Sequence, residues 1–330
     1  MSVLLCVLFF SSFAAQTESP KTSQSPQQTQ ESSGNKEKEV KVDWREFWRY
    51  ATVSFGEIKH DPLLNSNFFH AIGTGVIFAV NEHSAYFVTA RHMFCDPDNH
   101  WHPASIQLRF AWEEKKSIYS FFGVPLELQD SLGKDIWASL EDGSDVAAAE
   151  LTDKLLRALP AEDRLQTYDA VHLADLSTEV YEGGQVIILG YPGLVANDFL
   201  VKAILRQGTV AWTNPRSPAD NTFLVDANLY PGNSGGPVMK LPYGLTSEGK
   251  IDFLSGGKIR LVGIVSQGVQ QDISLGGRKT SVYGIGGIGV IEPASKIRRL
   301  IEEIKAGSTK TPPCGVPISN PLPSPVVPTR

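Results

Sequence analysis

The 330-residue chain is short of several things, and each shortage removes a class of answer. It has three cysteines, too few to hold a chain this long as a disulfide scaffold. No window reaches the roughly 18 consecutive apolar residues of a membrane-spanning helix, so no such span is expected. The formal net charge is −6 with no long basic cluster, which argues against a nucleic-acid partner. Histidines, cysteines and carboxylates nowhere take metal-ligand spacing, so no metal or other cofactor is expected. Repeats are absent, and helical periodicity is sparse.

What is present is an ordinary globular core composition, 42% apolar, between two unusual ends. Val3–Ala15 is an apolar run ending in small residues, with Ser12-Phe13-Ala14 as a small-x-small cleavage site. Residues 1–15 therefore read as a signal peptide, although no Lys or Arg precedes the run, and the expected location is secreted or periplasmic. Residues 16–41 are rich in Gln, Ser, Thr, Lys and Glu and read as a disordered linker. Thr311–Arg330 holds seven prolines, and 307–330 reads as an extended tail. Loss of the signal would remove Cys6. Cys95 and Cys314 would remain; they could pair, but the second lies in the Pro-rich tail, and two free thiols are the expectation.

Residues 42–306 form one block of short apolar runs bounded by Gly, Pro, Asn and Asp. Strands are expected at Gly75–Val80, Ala85–Thr89, Ser105–Phe110, Val146–Leu151, Gln185–Leu189, Thr222–Val225, Arg260–Val265 and Gly289–Ile291, with a hairpin at Asn81–Ser84. Helices are expected at Trp44–Ala51, Thr152–Leu159 and Pro293–Ile304; the last carries Ile297, Leu300, Ile301 and Ile304 on one face. Many strands and few helices point to an all-β barrel or sandwich.

The sharpest chemical signal is Pro231-Gly232-Asn233-Ser234-Gly235-Gly236-Pro237. Glycines around a serine let a carbonyl carbon approach its oxygen, and they let backbone N–H groups converge on a developing oxyanion. A tight Gly-rich turn is the plain alternative. The same stretch fits G-x-S-x-G, the nucleophile elbow, but that arrangement needs a histidine after the serine. All seven histidines (60, 70, 83, 92, 100, 102 and 172) precede Ser234, so the base must come first in the chain.

His92 ends Thr89-Ala90-Arg91-His92, directly after an apolar strand. A base must be aimed closely, and a strand end is rigid. His83 sits in a turn, while His100 and His102 sit in a polar loop; these three read as solvated. Asp145 begins an Asp-Val-Ala run that leads into a strand. Asp135, Asp142, Asp169 and Asp175 compete by position, but none leads a strand this way.

Thr-Ala-x-His, Asp-Val-Ala and Gly-Asn-Ser-Gly-Gly-Pro, in that order, resemble the motifs of trypsin-like serine proteases. Gln185–Pro192 and Ile288–Pro293 are most similar to the bacterial Deg-type (high-temperature-requirement) branch. The resemblance covers about residues 70–305. It implies a chymotrypsin-like fold of two antiparallel six-stranded β-barrels, about 60–175 and 176–292, with a C-terminal helix at 293–304. It further implies a serine endopeptidase with His92, Asp145 and Ser234 as triad and the N–H groups of Gly232 and Ser234 as oxyanion hole. Substrate would bind along Ser266, Gln267 and Gly268, with Asn228 at the base of the primary pocket. Asn228 is not acidic, and Val265 is not the histidine of glutamyl-specific relatives, so small or medium apolar residues are expected before the cut. Asn233 stands where digestive trypsins place an Asp, and no Ile-Val-Gly-Gly-like start precedes the first barrel, so activation by a trypsin-style cut is not expected. About 25 residues follow the last expected helix, too few for the PDZ domain usual in Deg-type proteins. Protein or peptide substrates are the expected partners, and homo-oligomerisation stays open. Two rivals stand beside this reading: a catalytically silent binding module, and a restricted processing protease or esterase on the same fold.

Overall fold

Alternation builds the first half of the molecule. In β4 (Ser105–Lys115), Ile106, Leu108 and Phe110 turn inward, and in β5 (Ile118–Glu127) Val124 and Leu126 do so while Gly123, Pro125 and Glu127 face solvent. These observations come from a computed structural model. It describes residues 48–314 apart from 82–83, 116–117, 153–154, 156–166, 170–171, 175–179, 194–201, 215–220, 242–243, 246–248, 250, 253–258, 270, 276–277, 283–286 and 312. The expected signal peptide, the linker and most of the tail lie outside the described residues, as do the first half of Trp44–Ala51 and most of Thr152–Leu159. Residues 48–50 are helical.

β4 and β5 join β1 (Thr52–Asp61), β2 (Ser66–Asn81), β3 (Ser84–Thr89), β6 (Ala138–Ser139) and β7 (Ala147–Leu151) in one sheet of order β5-β4-β1-β2-β3-β7-β6. This sheet curls into a half-barrel and opens at Thr52, ahead of the expected boundary near 60. Its middle is buried on both faces. Phe87, Ala147, Ala149 and Leu151 enter one core with Phe55, Phe94 and Trp137. Val88, Val146 and Ala148 enter the other with Val186, Ile188 and Val238 from the second half. The short alanines of β7 suit a strand packed on both sides.

The second half is a closed six-stranded barrel, β10-β17-β14-β11-β8-β9. Its strands are β8 (Gln185–Gly190), β9 (Ile204–Trp212), β10 (Phe223–Asp226), β11 (Pro237–Lys240), β14 (Arg260–Gly268) and β17 (Ile288–Pro293). Two small hairpins stand apart from it, β12 (Gly244–Leu245) with β13 (Ile251–Asp252) and β15 (Gln271–Leu275) with β16 (Arg278–Val282). Every strand expected from the sequence is found, and the two-barrel, all-β class stands, with the first half open rather than closed. The strands not anticipated, such as β1, β5 and β9, carry Lys, Glu, Arg or Gln among their apolar residues, which blurs the pattern.

Pro293, with its fixed φ, caps the N-terminus of α1 (Ala294–Lys305), whose Ile297, Leu300 and Ile301 are buried against the second core. Beyond α1 the chain returns across the first sheet. Lys310 bridges to Ser139, the Thr311 hydroxyl donates to the Trp137 carbonyl, and Lys310 pairs with Glu141 at 3.2 Å. This path corrects the expectation of free thiols. Cys95 and Cys314 form a disulfide, Cα–Cα 5.7 Å, although 219 residues separate them. Separation in the chain concealed a closeness that only the returning segment creates. Among the described residues, no helix is long and apolar enough to cross a membrane.

Candidate active site

β3 delivers His92. The strand ends at Thr89, and Arg91–Met93 form one 3₁₀ turn that sets the imidazole at its edge, with the side chain 20% exposed. β7 begins just after Asp145, whose side chain is 2% exposed. His92 contacts this carboxylate twice: its backbone N–H donates to Oδ1 at 2.9 Å, and Nδ1 lies 2.8 Å from Oδ2. The Ser266 hydroxyl donates to Oδ2 at 2.5 Å. An ionised acid so placed draws the imidazole proton to Nδ1 and leaves the Nε2 lone pair facing outward.

Burial acts against charge at both groups, and pairing outweighs it. Burial alone would push the His92 imidazolium down, but the charge and bond of Asp145 raise it above the ordinary histidine value. Burial would push Asp145 up, yet the His92 charge and the bonds from His92 and Ser266 hold it below the usual carboxylate range.

The Ser234 turn is clasped against the first sheet by Thr74, in β2. The Thr74 N–H donates to the Ser234 carbonyl at 3.0 Å, and its hydroxyl donates to the Gly232 carbonyl at 2.7 Å. That hydroxyl also accepts the Tyr191 N–H at 3.0 Å, while the Thr74 carbonyl accepts the Thr89 hydroxyl at 2.8 Å. The Ser234 turn and the strand that leads to His92 are thus locked to one residue. Gly235 needs to be glycine: its φ is +78°, and a Cβ there would lie 2.0 Å from Thr89 Oγ1. Gly232, at φ +94°, would likewise bring a Cβ to 2.4 Å from the Tyr191 carbonyl.

The same turn aims two N–H groups. The Pro231 carbonyl accepts from Gly193 at 2.8 Å, and the Asn233 carbonyl accepts from Gly236 at 2.9 Å. In a trans peptide the N–H opposes the carbonyl, so the Gly232 and Ser234 N–H groups point away from those bonds. Among the described residues neither meets an acceptor. Ser234 is partly exposed, whereas Asn233 is buried against Gly190. Among the described residues, no hydrogen bond joins Ser234 Oγ to His92; such contacts often tighten only when substrate binds.

The residues expected on the substrate side take different positions. Ser266 turns its hydroxyl inward to Asp145. Gln267 is exposed, and β14 pairs with β11 only as far as Ile264, so Ser266–Gly268 present a free edge on that side among the described residues. Asn228 is exposed, and its amide lies near Gly287. No metal-binding group of His, Cys, Asp or Glu is found among the described residues.

Two residues were missed by the sequence reading. Thr74 sits in a Gly-Thr-Gly stretch, just ahead of the expected strand Gly75–Val80, with no chemical signal of its own. Glu292 accepts the Asp145 N–H at 3.0 Å and is 3% exposed. A carboxylate inside the apolar run Val290-Ile291-Glu292-Pro293 was the available signal.

Comparison with known proteins fits this geometry. A family model described as a trypsin-like peptidase domain matches residues 73–244, just over half of the chain. The chain is similar to a serine protease HtrA-like of Staphylococcus aureus (strain MRSA252), 22% identical over 261 residues that cover 76% of this chain and 26% of the relative. It is also similar to a serine protease HtrA-like of Staphylococcus haemolyticus (strain JCSC1435), 23% identical over 269 residues, 78% of this chain and 32% of the relative. The chain thus spans about a quarter to a third of the length of these curated relatives.

Proposed function

Because the chain belongs to the trypsin-like peptidase family, a family of serine proteases, we propose that it is an endopeptidase working through an acyl-enzyme on Ser234. The observation that carries this reading is the buried Asp145 carboxylate, held by the His92 N–H and the Ser266 hydroxyl and set against His92 Nδ1, where it favours the Nδ1–H tautomer. His92 Nε2 takes the Ser234 proton as Oγ bonds to the scissile carbonyl carbon. The carbonyl oxygen gains charge opposite the N–H groups of Gly232 and Ser234. His92 then gives its proton to the leaving amine, and the C–N bond breaks. Water, deprotonated by His92, attacks the ester; the acid product leaves, and the proton returns to Ser234.

An extended peptide would add as a strand along Ser266–Gly268. Neutral Asn228 suits small or medium apolar residues before the cut, which a peptide-library cleavage profile reads; a dominant Arg or Lys signal would overturn that preference. Neutral Asn233 cannot pair with a new N-terminal ammonium, so activity requires no cut near residue 70. Export to a secreted or periplasmic location rests on Val3–Ala15 alone. The test of the whole reading is peptidase activity of the purified chain beside Ser234→Ala. Activity should vanish in a variant with unchanged circular dichroism; full hydrolysis by that folded variant would overturn the proposal.

A further inference from the structure

The acid of the pair does not stand alone. Its turn, Glu141–Asp145, docks on the start of α1. Asp142 pairs with Lys296 at 2.7 Å and with Arg299 at 2.5 Å, and it accepts the Ser144 N–H at 3.0 Å. One step deeper, Glu292 takes the Asp145 backbone N–H on Oε1 at 3.0 Å. Glu292 is the penultimate residue of β17, and its register partner is Ile264 on β14, two residues before Ser266. Asp145 is therefore gripped from both sides by neighbouring strands of the second barrel. Ser266 holds its side chain, and Glu292 holds its main chain.

We propose that Glu292 is a positioning residue for the triad, fixing the main chain of Asp145 and, through its charge, setting the pH range in which His92 serves as base. This inference rests on the catalytic reading above. Glu292 faces Asp145 and Asp142 on the docked turn and Lys296 on α1, and His92 itself faces Asp145 and Asp96. A buried carboxylate beside a second carboxylate is an expensive arrangement. A neutral amide would accept the same N–H without that cost, so the acid is the anomaly to explain. Burial, reinforced by the Asp145 charge and only partly offset by the Asp145 N–H and Lys296, pushes Glu292 up to about 7. That is the range in which a histidine base titrates. An ionised Glu292 adds negative charge behind Asp145 and favours the imidazolium; a neutral one withdraws that support.

The experiment follows the His92 ring directly. In the full chain labelled with ¹⁵N-histidine, His92 is assigned by loss of its signals in His92→Gln, and its titration is read in the parent, Glu292→Gln and Glu292→Ala. Gln keeps the acceptor and loses the charge. The His92 midpoint should fall by roughly half a pH unit, a size expected for a charge one group removed. In parallel, fluorophosphonate labelling rates are measured across pH. Glu292→Gln should keep the plateau rate within about threefold, with its acid limb moved to lower pH, and Glu292→Ala should lose on the order of tenfold at every pH. Binding of an uncleaved peptide that forms no bond to Ser234 should weaken far less. Rescue by Gln but not Ala marks positioning, and the shifted limb marks the charge. An unchanged His92 titration in Glu292→Gln, or equal labelling rates in all three proteins, would overturn the inference. If the parent itself is not labelled on Ser234, the catalytic reading fails, while the ring titration still decides whether Glu292 and His92 are coupled.

Discussion

Two histidine–aspartate pairs on the first half of this molecule have the same length and different environments. His92 Nδ1 lies 2.8 Å from Asp145 Oδ2, and His102 Nε2 lies 2.8 Å from Asp135 Oδ1. The first aspartate is 2% exposed and the second 14%. Asp145 also receives the His92 N–H and the Ser266 hydroxyl, and Glu292 holds its backbone; beyond His102, Asp135 is approached by Gln129 at 3.4 Å. His102 borders a polar surface depression with Asp135, Lys310 and Thr311, where Cys314 is committed to its disulfide and Thr311 to the Trp137 carbonyl. A pair distance therefore does not identify a catalytic dyad. In the proposed reading, desolvation, three contacts on the acid and a Gly-flanked hydroxyl elsewhere in the site make the difference.

The comparison breaks first at His92. His92→Ala should lower peptide hydrolysis on the order of 10⁴–10⁶-fold, and His92→Ala with Ser234→Ala should cost little more, since the two act as a unit. A full additive loss in the double mutant would contradict a shared step. Asp145→Asn should keep the fold and lose on the order of 10⁴-fold, because the amide no longer selects the Nδ1–H tautomer. Measured turnover near that of the parent would show that the pair is merely structural.

The pH profile sharpens the same contrast. In the proposed mechanism neutral imidazole is the base, and pairing raises the folded His92 value above the ordinary one of about 6.5. Rate should therefore climb as pH rises through a midpoint above that ordinary value, falling roughly tenfold per unit on the acid side. The stability contribution has the opposite sense: it is complete below the ordinary value and is lost as pH rises through the folded one. A rate maximum near pH 4 would indicate a carboxylate mechanism instead.

Smaller effects follow away from the dyad. Cys314→Ser frees the returning segment and opens a loop of 219 residues in the denatured chain. It should cost about 2–5 kcal/mol of stability, seen as a lower Tm that a reducing agent does not shift further. The smallest effect is expected at the other pair. His102→Ala should change turnover by less than about twofold, as surface pairs of this kind contribute little. A loss of a hundredfold there would place the two pairs on an equal footing.

Much of the site was legible because its motifs are local. Thr89–His92, Asp145–Ala147 and Gly232–Pro237 each pair a chemical group with the strand or turn that aims it, and chain order alone excluded the nucleophile elbow. The closed second barrel was equally legible, since Gln185–Leu189, Arg260–Val265 and Gly289–Ile291 are strongly apolar runs. What escaped depends on contacts across the fold. Thr74 bonds to residues 158 positions away, Glu292 to one 147 away, and Cys95 to one 219 away. The open first sheet escaped for a related reason, because strand closure is set by edge pairing rather than by any single segment.

The most direct measurement is labelling of the full chain with a fluorophosphonate, with the adduct mapped by mass spectrometry, in the parent, His92→Ala and His102→Ala. The account predicts one adduct per chain on Ser234, abolished by His92→Ala and retained in His102→Ala. An unlabelled Ser234 in the folded parent, or labelling that survives loss of His92 unchanged, would contradict it.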